Sequence, residues 1–158
     1  MKKLIYLCAL AIGFTACGSN VDANKKMASA FLDLALSTNP LEAQALTHPD
    51  FKFVFMGNTE ISNIPYDQDT YFDYWLPEVV GKLLPTGITL TTTDMIADDD
   101  GVAVIMEGDA EGINGEYDNK YVFVYKFKDG KIFSIHEYNS DLLVATRLYK
   151  NELVKISK

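Results

Sequence analysis

The chain is poor in the residues that build covalent or metal-centred sites. Its 158 residues include two cysteines and two histidines. Cys8 and Cys17 both fall at the extreme N-terminus, so the rest of the chain can form no disulfide, thiolate zinc site or cysteine nucleophile. His48 and His136 lie far apart in the sequence, with no motif that would gather them around a metal ion. We therefore expect neither a metal nor a cofactor.

Positive charge is also scarce. The chain has 14 Lys and Arg residues against 22 Asp and Glu, which gives a formal net charge of −8. Lys2 and Lys3 belong to a predicted leader, and its removal would change the net charge from −8 to −10. A domain this acidic is repelled by the phosphate backbone, so we expect no nucleic-acid partner. It gains nothing from anionic lipid headgroups either.

The longest apolar run lies at the N-terminus, from Leu4 to Phe14, directly after the two lysines. Eleven residues are too few to span a bilayer but suit the core of a signal peptide. The run ends in Phe14-Thr15-Ala16-Cys17, which resembles a bacterial lipobox with Phe14 in place of the more usual Leu. The alternative is an ordinary secretory signal that is cleaved nearby, with Cys17 as a bystander.

We predict a lipoprotein signal peptide over residues 1–16, followed by a lipidated Cys17 (a palmitate-type acyl anchor) and a tether over 17–24. An acyl anchor attaches a protein to a membrane without spanning it. Gly18 stands where an inner-membrane sorting signal would place Asp, so the predicted location is the bacterial cell envelope, at the outer membrane. The 158 residues less the 16 of the leader leave 142, the size of one domain. We place that domain at 25–149, before a charged tail at 150–158.

Three hairpin signals mark the second half of the chain. Asp98-Asp99-Asp100-Gly101, Asn114-Gly115 and Asp129-Gly130 separate runs of strand-forming residues, and Asp, Asn and Gly tolerate the positive φ that tight hairpins require. The sequence therefore predicts a meander of four antiparallel strands between Gly87 and Tyr138. A turn is predicted at His48-Pro49-Asp50, and a fifth strand after it from the alternating aromatic residues of Phe51 to Met56.

Helices account for most of the first half. Apolar residues at helical spacing predict one helix from about Val21 to Leu36, and Pro40 is well placed to open a short second one. Asp67 is a candidate cap for a third helix, in which Pro77 predicts a kink or break. Ser140 is a candidate cap for the last. Helices followed by a strand meander indicate an α+β fold, in which the helices cover one face of the sheet.

A family resemblance rests on residues late in the chain. Glu116-Tyr117-Asp118-Asn119-Lys120-Tyr121, then Asp129-Gly130-Lys131-Ile132 and Glu137-Tyr138 resemble the SnoaL-like, ketosteroid-isomerase-related branch of the nuclear transport factor 2-like superfamily. The resemblance covers roughly Lys25 to Leu148. It implies a cystatin-like or nuclear transport factor 2-like cone, with helices packed in a curved antiparallel sheet around an apolar pocket. It also implies frequent homodimers, but it does not determine the reaction, because members include enzymes and binding proteins.

Glu137 is the candidate catalytic residue. Alternation places it on the inward face of the last strand with Phe133, Ile135 and Asn139, and enzymes of this superfamily use a pocket carboxylate as general base. A purely structural Glu137, paired with a backbone donor or a lysine, is the alternative. Relatives commonly have Asp where this chain has Ser140, with Asp141 one residue later, which puts a catalytic role there in doubt. Candidate pocket residues are Phe53, Phe55, Tyr71, Trp75, Met106, Tyr121, Phe123 and Asn139.

Two functions follow from these residues. The first is a membrane-tethered module whose apolar pocket binds a small hydrophobic molecule without turning it over. The second is a cofactor-free isomerase, cyclase or hydrolase-like enzyme with Glu137 as base. A separate hypothesis concerns the carboxylates of Glu107 and Asp109, which share a strand face. They are either a paired-carboxylate site or simply part of the outer face of the sheet.

Overall fold

A computed structural model describes residues 20–37 and 40–156 of the chain. The fold is α+β, with helices packed on one side of a single curved sheet. The predicted leader and Cys17 lie outside the described residues. Helix α1 begins at Asn20, so residues 20–24, which we predicted as tether, are helical. No helix in the described ranges is long and apolar enough to cross a membrane.

The first two helices follow the sequence pattern. Helix α1 spans Asn20–Ala35 and buries Ala28, Phe31, Leu32 and Ala35, which recur at the i, i+3, i+4 and i+7 spacing of one helix face. Helix α2 spans Leu41–Ala45 and is preceded by Pro40, whose φ of −68° suits the start of a helix.

The third helix, α3, shows how Pro77 is accommodated. It starts with Gln68–Thr70, continues as π-helix over Tyr71–Val80 and ends with Gly81–Leu83. The side chain of Asp67 caps it by accepting a hydrogen bond from the Thr70 backbone N–H at 3.0 Å. Pro77 does not end the helix as a break would. The wider turn instead lets the Gly81 N–H donate to the Leu76 carbonyl, five residues back.

Seven strands form the sheet in the order β2-β1-β7-β6-β4-β3, with β5 paired to β4. All neighbouring pairs are antiparallel except β1 and β7, which run parallel, an exception that the hairpin signals did not predict. The strands are β1 (Thr47–Met56), β2 (Pro65–Asp67), β3 (Ile88–Asp98), β4 (Gly101–Gly112), β5 (Gly115–Glu116), β6 (Asn119–Lys128) and β7 (Lys131–Tyr138).

The hairpin turns have the chemistry that the sequence predicts. Asp129 and Gly130 both have positive φ, 53° and 72°, as a type I′ turn requires. At the β3–β4 turn, the Asp98 side chain accepts from the backbone N–H groups of Asp100 and Gly101 at 2.9 and 3.0 Å. This cluster of three aspartates is therefore a hairpin turn rather than a calcium loop.

Two local predictions were wrong, both because strand register is not readable from alternation. His48-Pro49-Asp50, predicted as a turn, lies inside β1 at a point where the register with β7 shifts. A second shift leaves Phe133 without a partner on β6, so Ile132 rather than Phe133 enters the core. Phe133 instead packs away from it, against the His48 ring at 5.7 Å and beneath the Lys128 ammonium.

The last helix, α4, covers the end of the sheet. It comprises Asp141–Leu143 and a π-type stretch over Val144–Leu148. Ser140 occupies the position before it but makes no side-chain cap hydrogen bond. The tail that follows is exposed, including the apolar side chains of Leu153, Val154 and Ile156.

Phe31 is the centre of the core. It lies on the buried face of α1, is fully buried, and its ring lies within 6.1 to 6.4 Å of the rings of Phe51, Tyr71, Phe72 and Tyr125. These four side chains come from β1, α3 and β6. A single residue therefore holds the first helix against both the sheet and the third helix.

Replacing Phe31 with Ala should lower the free energy of unfolding by about 3–5 kcal/mol, because the cavity left behind faces four rings that cannot all collapse into it. Urea unfolding followed by circular dichroism measures the change. Asp33→Ala on the exposed face of the same helix is the matched control and should change stability by no more than about 0.5 kcal/mol. Equal effects of the two substitutions would contradict a central role for Phe31.

Candidate functional site

Strand β7 places Glu137 in the middle of the sheet, between β1 and β6. In the register, Glu137 is level with Phe55 on β1 and Phe123 on β6. All three side chains face the concave side and line one apolar cavity. Glu137 is half-buried as a residue, and its carboxyl is the part that is removed from solvent.

The cavity lies between the sheet and helices α1 and α3. The space in which the centre of a water molecule can lie is about 80 Å³. Apart from Glu137 and three tyrosines, the residues that line it are apolar. The full lining consists of Leu32, Leu36, Phe55, Ile61, Tyr71, Trp75, Leu76, Val79, Val80, Leu83, Leu84, Ile88, Leu90, Tyr117, Tyr121, Phe123, Glu137 and Leu148. This matches the usual composition of a small-molecule site, which is mostly apolar with a few converging polar groups.

A larger open groove, which we call the outer groove, adjoins the cavity. The volume of the outer groove that is open to the centre of a water molecule is about 710 Å³. The groove and the cavity share five apolar lining residues, which are Leu36, Leu76, Val80, Leu84 and Ile88. Asp109 and Glu111 lie on its wall, and the described lining includes no Lys, Arg or His. The shared residues place the outer groove directly beside the cavity, and its two carboxylates make it negatively charged.

The structure brings most of the predicted pocket residues to the cavity, but not all of them. Phe55, Tyr71, Trp75, Tyr121 and Phe123 line it together with Glu137. The other three predicted side chains do not form its wall. Phe53 is covered by the rings of Tyr66, Tyr71 and Trp75, Met106 is buried in the core, and Asn139 contacts Glu137 from outside.

Tyr117 is a cavity residue that the sequence analysis did not single out. It lies in the short connection between β5 and β6, a place where alternation says nothing about which way a side chain points. Its backbone N–H donates to the Ala110 carbonyl at 2.8 Å, which ties this connection to β4. The only sequence signal was its place in the Tyr117-Asp118-Asn119 segment.

Glu137 carries the most perturbed carboxyl of the site. Its Oε1 accepts a hydrogen bond from Asn139 Nδ2 at 3.0 Å, and no cation within the described residues forms a salt bridge with it. Burial raises the pKa of Glu137 from 4.5 to about 7, against the lowering effect of the Asn139 hydrogen bond. A carboxyl with this pKa can both take up and release a proton near neutral pH.

The tyrosines of the site respond to the charge of Glu137. Burial is the main cause that raises the pKa of Tyr71, Tyr117 and Tyr121, and the nearby Glu137 carboxylate raises each further. The pKa of Tyr117 reaches only about 12, because hydrogen bonds from Tyr121 and Asn119 lower it. All three phenols are therefore neutral hydrogen-bond donors at physiological pH.

The remaining carboxylate candidates lie away from the cavity. Glu107 and Asp109 are both exposed on the outer face of β4 and border the same shallow surface depression, where Glu107 forms a 2.6 Å salt bridge with Lys120. Asp141 Oδ2 accepts from the Asn58 backbone N–H at 2.9 Å, a contact that fixes the loop after β1 to the start of α4. Within residues 20–37 and 40–156, no three His, Cys, Asp or Glu side chains are placed to hold a metal ion.

The chain belongs to the SnoaL-like domain family, whose sequence profile matches residues 28–135. A search of curated proteins found no match. Solved structures with the same fold include a candidate SnoaL-like polyketide cyclase from Jannaschia sp. CCS1, with 13% identity over 84% of this chain and 95% of that one, at a TM-score of 0.67. A candidate isomerase from Bacillus subtilis has 18% identity over 84% and 97% of the chains, at 0.68.

A nuclear transport factor 2-like protein from Anabaena variabilis is also similar, with 15% identity over 76% of this chain and 91% of that one and a TM-score of 0.64. At these identities the likeness establishes the fold, the nuclear transport factor 2-like cone, and leaves the reaction to be argued from the site. The family to which the chain belongs contains ligand-binding proteins as well as isomerases and cyclases.

The buried carboxyl should make the fold less stable at alkaline pH. Because the folded-state pKa of Glu137 is raised, its contribution to stability is fully present below about pH 4.5 and is lost as the pH rises to about 7. Glu137→Gln removes this loss while Gln can still accept from Asn139. We expect the variant to gain about 3 kcal/mol of unfolding free energy relative to wild type between pH 4.5 and pH 8. Urea titrations at both pH values measure it, and parallel pH profiles would contradict the raised pKa.

Proposed function

We propose that this domain is a cofactor-free enzyme that moves a proton on a small apolar carbonyl compound, with Glu137 as the general acid–base. The observation that carries the proposal is a carboxyl that faces an apolar cavity and has no salt bridge among the described residues, an environment that raises its pKa. In the first step Glu137 accepts a proton from the carbon next to the carbonyl, which leaves an enolate. In the second step the same carboxyl returns a proton to a carbon of the enolate, so that no oxidant or co-reactant is needed.

The polar groups in and beside the cavity have complementary roles in this proposal. Asn139 holds Glu137 Oε1 and so orients the base. A tyrosine hydroxyl of the cavity donates a hydrogen bond to the substrate oxygen, on which negative charge develops in the transition state. The apolar walls exclude water, which keeps the carboxyl basic and strengthens the hydrogen bond to the oxygen.

Charge narrows the class of substrate. Asp109 and Glu111 lie on the wall of the outer groove, and none of its described lining residues is Lys, Arg or His. The chain as a whole is also acidic. An anionic substrate, or one attached to a phosphorylated carrier, would be repelled on approach. We therefore propose an uncharged or cationic substrate with a flat apolar body that can pack against Trp75, Phe55 and Phe123.

Deuterium incorporation into 2-tetralone, a flat neutral ketone with acidic α-protons, tests the reaction. Protein in D₂O should exchange these protons in a time course followed by ¹H NMR, at a rate that rises with pH up to about 7 and then levels off as Glu137 becomes fully ionised. Glu137→Gln should slow the exchange by at least about 100-fold.

Glu107→Gln is the matched control, because it removes an exposed carboxylate from the outside of the same sheet. It should exchange the ketone at the wild-type rate. If Glu137→Gln and wild type exchange at equal rates, or if the wild type binds 2-tetralone without exchanging it, the second candidate is favoured. That candidate is a binding module, and the small and largely apolar cavity is the observation in its favour.

We also propose that the domain is anchored to the outer membrane of a bacterial envelope through lipid on Cys17. The support is the lipobox-like Phe14-Thr15-Ala16-Cys17 after a basic and apolar leader. The homodimer that the family resemblance implies stays a prediction, for which sedimentation equilibrium of the domain is the direct check.

Once the leader is removed, Cys17→Ser should release the protein from the membrane fraction of a bacterial expression host, because the acidic domain gains nothing from anionic headgroups. Mass spectrometry of the wild-type protein should find an N-terminal Cys17 that carries acyl chains. An unmodified N-terminus, or membrane attachment that survives the substitution, would overturn the anchor.

A further inference from the structure

The arrangement around Asn119 indicates which of the three cavity tyrosines donates to the substrate. Asn119 is a buried polar side chain, 2% exposed, at the start of β6. It lies between the Tyr117 hydroxyl and the backbone at the end of β7. A polar side chain buried this completely is expected to have its hydrogen bonds assigned to definite partners.

The orientation of the Asn119 amide follows from its acceptor bonds. Its Oδ1 accepts from two backbone N–H groups, that of Lys120 at 2.8 Å and that of Ser140 at 3.2 Å. A backbone N–H can only donate, so this side of the amide must be the oxygen. The Nδ2 group therefore faces Tyr117 and donates to its hydroxyl oxygen at 3.0 Å.

This bond determines the direction of the Tyr117 hydroxyl proton. The Tyr117 oxygen accepts from Asn119, and Tyr117 also shares a hydrogen bond with Tyr121. Because Asn119 donates to the oxygen, the Tyr117 proton is directed away from Asn119. Tyr117 lines the cavity that also contains Glu137, and apart from the Tyr121 hydroxyl no acceptor among the described residues is placed to take this proton.

We infer that Asn119 is a positioning residue that makes Tyr117 the hydrogen-bond donor to an acceptor oxygen of the ligand in the Glu137 cavity. The inference rests on the proposed function for the identity of that oxygen, the carbonyl of a neutral substrate. Among the described side chains, no amide donates to the oxygen of Tyr71 or Tyr121 as Asn119 does to that of Tyr117.

Asn119→Asp is the most informative variant. Aspartate keeps an acceptor for the Lys120 and Ser140 N–H groups but cannot donate to Tyr117, so Tyr117 would instead donate to the new carboxylate. NMR of protein labelled with ¹³C at the tyrosine Cζ tests this step without any ligand. The Tyr117 signal, identified by its loss in Tyr117→Phe, should shift in Asn119→Asp, and an unchanged signal in the folded variant would overturn the inference.

Bound 2-tetralone tests the second step. Quenching of Trp75, the single tryptophan of the chain and part of the cavity wall, measures the dissociation constant. The infrared stretch of the bound carbonyl reports its hydrogen bond. We expect the stretch to be lowered in wild type and to return toward its value in an apolar solvent in both Tyr117→Phe and Asn119→Asp, while the dissociation constant changes by about tenfold or less.

Kinetics separate a positioning role from a merely structural one. Each of the two substitutions should slow deuterium exchange by about 100-fold. The double variant should be no slower than Tyr117→Phe alone, because Asn119 acts only through the Tyr117 hydroxyl. Independent losses that multiply in the double variant would overturn the inference and indicate that Asn119 only supports the fold.

The outcomes also distinguish failure of this inference from failure of the proposed function. A wild type that binds 2-tetralone with a lowered carbonyl stretch but exchanges no deuterium would refute proton transfer and leave the Tyr117 assignment intact. A wild type that exchanges deuterium, with a carbonyl stretch unaffected by Tyr117→Phe, would refute the Tyr117 assignment alone. Loss of the lowered stretch in Tyr121→Phe with its retention in Tyr117→Phe would reverse the roles of the two tyrosines.

Discussion

Aromatic packing on the concave side of the sheet is the constraint on which the rest of this structure depends. Phe31 of α1 touches rings from β1, α3 and β6, and Trp75 packs against Phe53, Phe55 and Tyr66. This layer fills the concave side almost completely. Where it is incomplete, between α3 and the strands that carry Glu137 and Tyr121, the cavity remains. The walls of the cavity are therefore close-packed side chains that the core itself holds in place.

The same packing accounts for the chemistry of the site. A carboxyl surrounded by rings and aliphatic side chains loses much of its hydration, so its neutral form is favoured and its pKa rises to about 7. The cost appears as lower stability at alkaline pH, and the benefit is a base of useful strength near neutrality. Nearby tyrosines stay neutral for the same reason, which leaves their protons available for donation. Stability and proposed activity thus oppose each other at Glu137.

Sequence reasoning succeeded where the signal was local. The Asp129-Gly130 turn, the Asp67 cap and the apolar face of α1 depend on φ preferences and on spacing, which neighbouring residues determine. It failed where the answer lay in the pairing of distant segments. The parallel contact of β1 with β7 joins strands about 80 residues apart, and the shift at Phe133 lies in the pairing of β7 with β6 across a hairpin. No local preference encodes a one-residue shift in such pairings.

The candidate site shows the same division. Alternation along β7 is enough to place Glu137 on the concave face, and the residue types of the chain are enough to exclude thiol chemistry in the domain. The tertiary structure decided that the pKa of Glu137 is raised. It also decided that Tyr117 lines the cavity while Phe53 and Met106 do not. Desolvation and hydrogen-bond partners come from side chains that are distant in sequence. The sequence by itself determined which groups are available, and the packing decided which of them meet.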